Sequence, residues 1–288
     1  MPIQSLSDLQ AAFDEGRWHM QRFYKAAGTA HGLHWADPSF AAGQPAYDAR
    51  VGTALAFTPA FAQKNDAIYF PGVTAGQHRH LVTATFWSSQ STYNGPASIV
   101  LFDLVGYYPL IDGDSTDEQF MDNAETLPRY SSGEGVFPVM VCHVAPGTAD
   151  GVMVLNYTNS AGVAGRSVTV NVPNNGQNLV CSGVRAAAAA DVGPLAIALG
   201  DADKGIRSIE SVTYTTPPGG LHCIYLVKPL ATCVAGDNAV TVEKEFYSKA
   251  GFHCPRIHDG AWLGWFDRIG SGTSRTVSWF GNFVFAWG

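Results

Sequence analysis

His78 and His80 in "QHRH" stand two apart, which on a strand puts both imidazoles on one side, and His143, His222, His253 and His258 offer further nitrogen donors. Three or four of these converging with a carboxylate would make a zinc or iron site of the kind a jelly roll can host; the plainer alternative is that each is a solvated turn or strand-end residue. "VCHV" sets Cys142 beside His143, yet strand neighbours point to opposite faces, so the adjacency works against a thiolate pair and favours a packed thiol. "IDGDSTDEQ" spaces Asp112, Asp114, Asp117 and Glu118 as a calcium loop or a pair of glycosidase carboxylates would. The twelfth position of an EF-hand would fall on Asn123 where Glu is needed, which leaves a solvated acidic turn as the default.

There is no G-x-S-x-G elbow, no phosphate loop and no dinucleotide fingerprint. The expectation is a chain without cofactor or metal that is not an enzyme. Trp87, Tyr93, Tyr107, Tyr108, Trp262, Trp265, Trp279 and Trp287 could stack on sugars, although aromatics inside strand runs belong to a core. Trp262 and Trp265, three apart, fall on opposite faces of a regular strand, which makes one of them a candidate interface residue.

The elements that would position these groups are strands. Of 288 residues, 46% are hydrophobic, 12% aromatic and only 14% charged, with 31 Gly and 16 Pro; an average soluble chain carries roughly 25% charge. So few charges leave the surface to Ser, Thr, Asn and backbone, or to partners. The net charge of −7 and the scattered bases disfavour nucleic acid. No apolar run reaches the roughly 18 residues of a membrane span, and "MPIQSLSDLQAAFDEGRWHM" lacks a signal pattern, so neither a membrane nor a secretory route is expected. Cys142, Cys181, Cys223, Cys233 and Cys254 form no C-x-x-C pair and read as mostly reduced and buried.

Leu6, Leu9, Phe13, Met20 and Tyr24 fall near a 3.6 period and predict a helix over 5–27, capped by Ser7 with Gln10 and ended by Gly28. The Gly-, Ala- and Pro-rich stretch that follows reads either as an arm over a neighbouring subunit or as an ordered loop. Strand texture begins at residue 66 with "HLVTATFW", "ASIVLFDLVGYY", "GVFPVMVCHVA", "GVMVLNYTNSAG" and "RSVTVNVP". It resumes beyond the Ala-rich "RAAAAADVGPLAIALGDADKG" with "IRSIESVTYTT", "LHCIYLVKPL", "AVTVEKEFY", "AWLGWFDRI" and "RTVSWFGNFVFAWG". The fold class is mainly β, an antiparallel β-sandwich or jelly-roll-like body behind an N-terminal helix and extended arm.

"LPRYSSGEGVF" at 127–137 and "CPRIHDGAWLG" at 254–264 share a pattern, and each follows an alternating strand, a Pro/Gly turn, a Leu-Val strand and Pro-Leu in the same order. This points to one architectural unit used twice, and the expected division is 1–65 (helix and arm), 66–184 and 185–288 (two related β units). Whether these are two sandwiches or sheets of one larger body stays open.

"LVGYYPL", "LPRYSSGEGV", "NYTNSAGVAGRSVTVNV", "GDADKGIRSIESVTY", "YLVKPLA" and "CPRIHDGAWLGW" resemble a group of tailed-bacteriophage virion structural proteins over roughly residues 66–288. The resemblance implies a virion component, made in the bacterial cytoplasm, and transfers no active-site residue. A capsid decoration (cement) protein at the capsid surface would suit the rigid β body, low charge, polar faces and arm. Its expected partners are the major capsid protein and neighbouring copies in a homotrimer, with candidate contacts at Leu6, Leu9, Phe13, Trp18, Met20, Tyr24 and Trp35. The alternatives are a tail-associated receptor- or carbohydrate-binding module and, further off, a cupin-like metalloenzyme.

Overall fold

A computed structural model describes residues 3–30, 35–62, 67–89, 97–144, 150–172, 195–200, 202–235, 241–247, 254–269 and 275–288. The only α-helix among them, α1 (Leu6–Asp14), is far shorter than the 5–27 that the periodicity predicts. Its cap is Ser5, whose side chain accepts the Asp8 N–H while Asp8 accepts the Gln4 N–H, two residues earlier than expected. Gly16, at φ 70°, ends it in the left-handed region where a glycine is free to sit. Beyond the turn, residues 18–25 alternate outward and inward, so this half of the expected helix is strand β1 (Trp18–Ala30). Met20 and Tyr24 are four apart, a spacing that fits both periods; eleven residue pairs with the last strand of the chain decided for strand.

Three short strands lie in the expected arm: β2 (Trp35–Ala36), β3 (Gly43–Gln44) and β4 (Thr58–Pro59). Then come β5 (Arg79–Ser89), β6 (Ala97–Asp112), β7 (Gln119–Phe120), β8 (Phe137–Val144), β9 (Gly151–Asn159) and β10 (Arg166–Val172). The last six are β11 (Ile206–Thr216), β12 (Leu221–Ala235), β13 (Val242–Glu245), β14 (Arg256–Ile257), β15 (Trp262–Ile269) and β16 (Arg275–Trp287). They form three antiparallel sheets. The first runs β13-β5-β16-β1-β3 with β14 on β5, the spine β2-β15-β6-β12-β8 with β4 on β6, and the third β10-β9-β11-β7.

The two longest strands, β6 and β12, pair along nearly their whole length and are shared by two cores. Ile99, Leu101 and Cys233 at one end of the ribbon pack with Leu263 and Trp265 against Phe86, Phe283 and Phe285 of the first sheet. Val105, Tyr108, Ile111, Ile224 and Leu226 at the other end pack with Met140 and Cys142 against Leu155, Tyr157, Val212 and Tyr214 of the third sheet. Two sandwiches thus stand side by side on one spine.

The division at 184/185 does not separate them. β6 and β12, which carry the matched Leu-Val motifs, lie antiparallel with Val227 opposite Leu104. β8, following the first Pro-Arg segment, pairs with β12, whereas β15, following the second, pairs with β6. In the same way β9 pairs with β11 and β16 with β5. Each repeat lends its later strands to the other, so neither half holds a complete sheet, and β1 of the expected arm region is built into the first sheet. The Ala-rich joint falls mostly outside the described residues.

The expected arm covers its own chain. The back of the spine carries Phe102, Leu104, Tyr225, Trp262 and Phe266, an apolar face that needs a lid, and Trp35, Phe40, Ala60 and Ala62 supply it. Charges pin the lid: Asp37 accepts the Tyr225 hydroxyl at 3.0 Å, and the Arg50 guanidinium lies 3.9 Å over the Trp262 ring. Lys25 Nζ donates to the carbonyls of Ser39, Ala41 and Ala46. Burial lowers Lys25 to about 8.

Candidate partner-binding face

The outer surface of the first sheet assembles most of the residues expected to meet a partner. α1 lies on it, with Leu9 and Ala12 packed on Val82 and Ala286. β1 turns Trp18, Met20 and Tyr24 outward at 43%, 40% and 41% exposure, and Leu6 on α1 is 59% exposed. Strand register sets Tyr24 opposite Phe280 and Phe280 opposite Trp87, giving an aromatic row across β1, β16 and β5. Tyr24 and Phe280 have ring centroids 4.9 Å apart, and Phe280 stacks on Trp87 at 5.5 Å with 9° between planes. Phe13 meets Trp18 at 5.6 Å, closing the gap between helix and strand. A groove of about 460 Å³ runs there, lined by Leu6, Leu9, Phe13, Trp18, Val82, Tyr247 and Val284.

Of the seven candidate contacts, Leu6, Phe13, Trp18, Met20 and Tyr24 share this face. Leu9 only floors the groove, because it is 6% exposed and faces its own sheet. Trp35 is elsewhere: it pairs with Arg268 on the spine edge and packs against the back-face cluster. Phe280, Val284 and Tyr247 join the face without having been singled out in the sequence. A period of two over 18–24 is the signal that would have located the face on a strand.

The third sheet, which the repeat relates to the first, has a different outer surface. Ser167, Thr169 and Asn171 alternate outward on β10, and Asn156 on β9 and Ser211 on β11 continue the same side of the sheet. Their polar groups satisfy one another: Asn156 donates to Ser211 Oγ at 2.9 Å and Ser211 to Glu118 at 2.6 Å. Phe120 on β7, opposite Ser211, adds one exposed ring to this face at 69%; the first sheet differs in setting its rings side by side across three strands.

Among the described residues the groups considered for catalysis do not converge. His80 contacts the Cys254 carbonyl at 3.1 Å, His143 packs edge-on against Phe40, His222 shares a hydrogen bond with Tyr214 Oη at 2.8 Å, and His258 sits edge-on to Tyr130. His253 and Tyr93 lie outside the described residues. Among the described residues no group of three or more His, Cys, Asp or Glu is arranged to hold a metal ion. Cys142 and His143 point to opposite sides of β8, as alternation requires, and burial pushes the Cys142 thiol up to about 12. Cys142, Cys223, Cys233 and Cys254 are buried and unbridged; Cys181 is outside the described residues. In the acidic loop Asp112 accepts the Asp114 N–H, an ordinary Asx turn.

Trp262 and Trp265 do fall on opposite faces, but both faces of the spine are covered, and the rings are 4% and 2% exposed. The two Pro-Arg segments meet at Asp103. Arg129 holds its carboxylate from one segment, and the Trp262 N–H at the end of the other donates to Oδ1 at 3.0 Å.

No described helix is long and apolar enough to cross a membrane. No known family profile matches the chain, and no curated protein matches it. Solved structures that align with it include the VP2 subviral particle of infectious bursal disease virus, at 11% identity over 93% of this chain and 80% of that one, with a TM-score of 0.18. The Gt strain of the same virus aligns at 12% identity over 94% and 81%, with a TM-score of 0.17. At such TM-scores these likenesses carry no argument about fold or function.

Proposed function

We propose that this chain is a non-enzymatic virion structural protein, a decoration protein of a phage capsid, and that it binds through the α1-bearing face of its first sheet. The observation that carries this reading is the gathering of Leu6, Phe13, Trp18, Met20 and Tyr24 on one exposed surface, where a row of aromatic rings crosses three neighbouring strands. The sequence resemblance to phage virion proteins supports the choice of a capsid. Function would then be association energy: copies bound to the shell, as trimers that touch major capsid protein and each other, stabilise it by mass action. The test is light scattering of the purified protein followed by imaging of undecorated heads mixed with it. Regular occupancy of lattice points supports the reading; heads left bare at saturating protein refute it.

A tail-associated receptor or glycan binder is the second reading. With Trp262 and Trp265 buried it rests on the row of Tyr24, Phe280 and Trp87, and glycan-array binding lost on Trp87→Ala would favour it.

A further inference from the structure

We infer that the groove between α1 and the first sheet receives a polypeptide segment that is apolar on one side and basic at its margin. The inference deepens the reading above by naming the partner's chemistry, and it rests on that reading only in assigning the segment to a capsid. The groove floor and walls come from Leu6, Phe13, Trp18, Val284 and Tyr247, and its volume of about 460 Å³ admits one or two large side chains.

Its rim is unevenly charged. On β13, Val242 packs into the core, so the alternation turns Glu243 and Glu245 to the outer face, opposite Thr85 and Thr83. Glu245 accepts a hydrogen bond from the hydroxyl of Tyr247, a lining residue, at 3.2 Å. Asp14 is exposed at the C-terminal end of α1, the end where the peptide dipoles add further negative potential. Arg17 is taken up by Glu15 at 2.8 Å, so among the described residues Arg22 is the exposed cation of the face, across β16 from the acids. An apolar trough with carboxylates along one margin complements Lys or Arg flanking Leu, Phe or Trp. The same carboxylates oppose an anionic lipid surface. Sugars would find few partners here, because Thr83 and Gln10 are the uncharged polar side chains that line the groove, apart from the Tyr247 phenol.

The experiment uses the full chain and short synthetic probes that contain no tryptophan: an amphipathic Leu/Lys peptide, a Leu/Glu peptide of the same pattern, a Ser/Lys peptide, and phosphatidylglycerol-containing phosphatidylcholine vesicles. Anisotropy of the labelled probes and intrinsic tryptophan emission are read together. The Leu/Lys probe is expected to bind saturably and at least about tenfold more tightly than either control peptide. Glu243→Lys with Glu245→Lys, and separately Leu6→Asp, should each weaken it by about tenfold, while Glu125→Lys on a distant exposed loop should not. Circular dichroism of the exposed-site variants checks that they fold. Equal binding of the Leu/Glu probe, no saturable binding of Leu/Lys, binding that survives both groove variants, or preferential binding of vesicles would each overturn the inference. Bare heads alongside specific Leu/Lys binding would instead sink the capsid reading and leave the groove intact.

Discussion

Arg129 grips the Asp103 carboxylate with two parallel hydrogen bonds, Nε to Oδ2 at 2.9 Å and Nη2 to Oδ1 at 2.7 Å, and both side chains are buried. The guanidinium also donates to the Ala60 and Leu104 carbonyls, so one side chain ties a loop, the lid and the spine together. Burial raises the Asp103 carboxyl while the guanidinium beside it pulls it down. Breaking such a pair from one side strands a buried charge. Arg129→Met should cost about 3–5 kcal/mol in urea unfolding, and Arg129→Met with Asp103→Leu should recover a large part of it. A loss under about 1 kcal/mol for the single variant would show that the pair is dispensable.

The partner face should be separable from the fold. Leu6→Asp and Tyr24→Ser remove exposed apolar surface, and each should shift stability by no more than about 0.5 kcal/mol. Together they should strip the protein from heads in a sedimentation assay. Deleting residues 1–45 is not an equivalent test, because Phe23 and Lys25 of β1 are buried and the deletion would unmake the first sheet. Wild-type occupancy by the folded double variant would place the contact elsewhere.

Acid should destabilise the protein with a definite proton count. Burial lowers His143 and His222 to about 4, against about 6.5 in an unfolded chain, so their contribution is complete above 6.5 and is lost as pH falls toward 4. Burial raises Asp267 to about 7 while the Trp279 side chain bonded to it pulls the other way; its contribution is complete below about 4 and is lost as pH rises through 7. Between these limits the two imidazoles and the carboxyl oppose one another. Asp267→Asn should therefore steepen the rise of stability from pH 4 to 6.5 by about one proton in pH-resolved denaturant titrations. An unchanged slope would mean that Asp267 is ionised in the fold.

Trp265→Ala separates core from binding site. Its ring packs on Phe23 with centroids 4.6 Å apart and on Phe86 at 5.8 Å, inside the first sandwich. The substitution should cost about 3–5 kcal/mol, read by calorimetry, without altering any glycan signal that the folded protein shows. Selective loss of such a signal at unchanged melting temperature would restore the sugar-stacking reading of this residue.

Much of the architecture is legible in the residues. The strand runs show as alternation and β-branched content, Gly and Pro mark their ends, and the paired Leu-Val and Pro-Arg motifs betray a repeat. Less legible was the N-terminal stretch: Leu6, Leu9 and Phe13 are helical, and only a turn at Gly16 converts the next apolar positions to strand. Trp262 and Trp265 showed that a period correctly read cannot say whether a face is covered.

Local residue patterns were enough to mark the strand segments beyond residue 66, to put their turns at Gly and Pro, and to show that two halves share a plan. Only the tertiary structure decided that the halves exchange strands, that the arm closes over its own spine, and that Leu6, Phe13, Trp18, Met20, Tyr24 and Trp87 lie on one surface. The reason is that alternation assigns side chains to the two sides of a strand but leaves open what covers each side. That depends on hydrogen-bonded partners more than a hundred residues away, as Trp87 and Phe280 are, and on which apolar faces the other sheets leave unfilled.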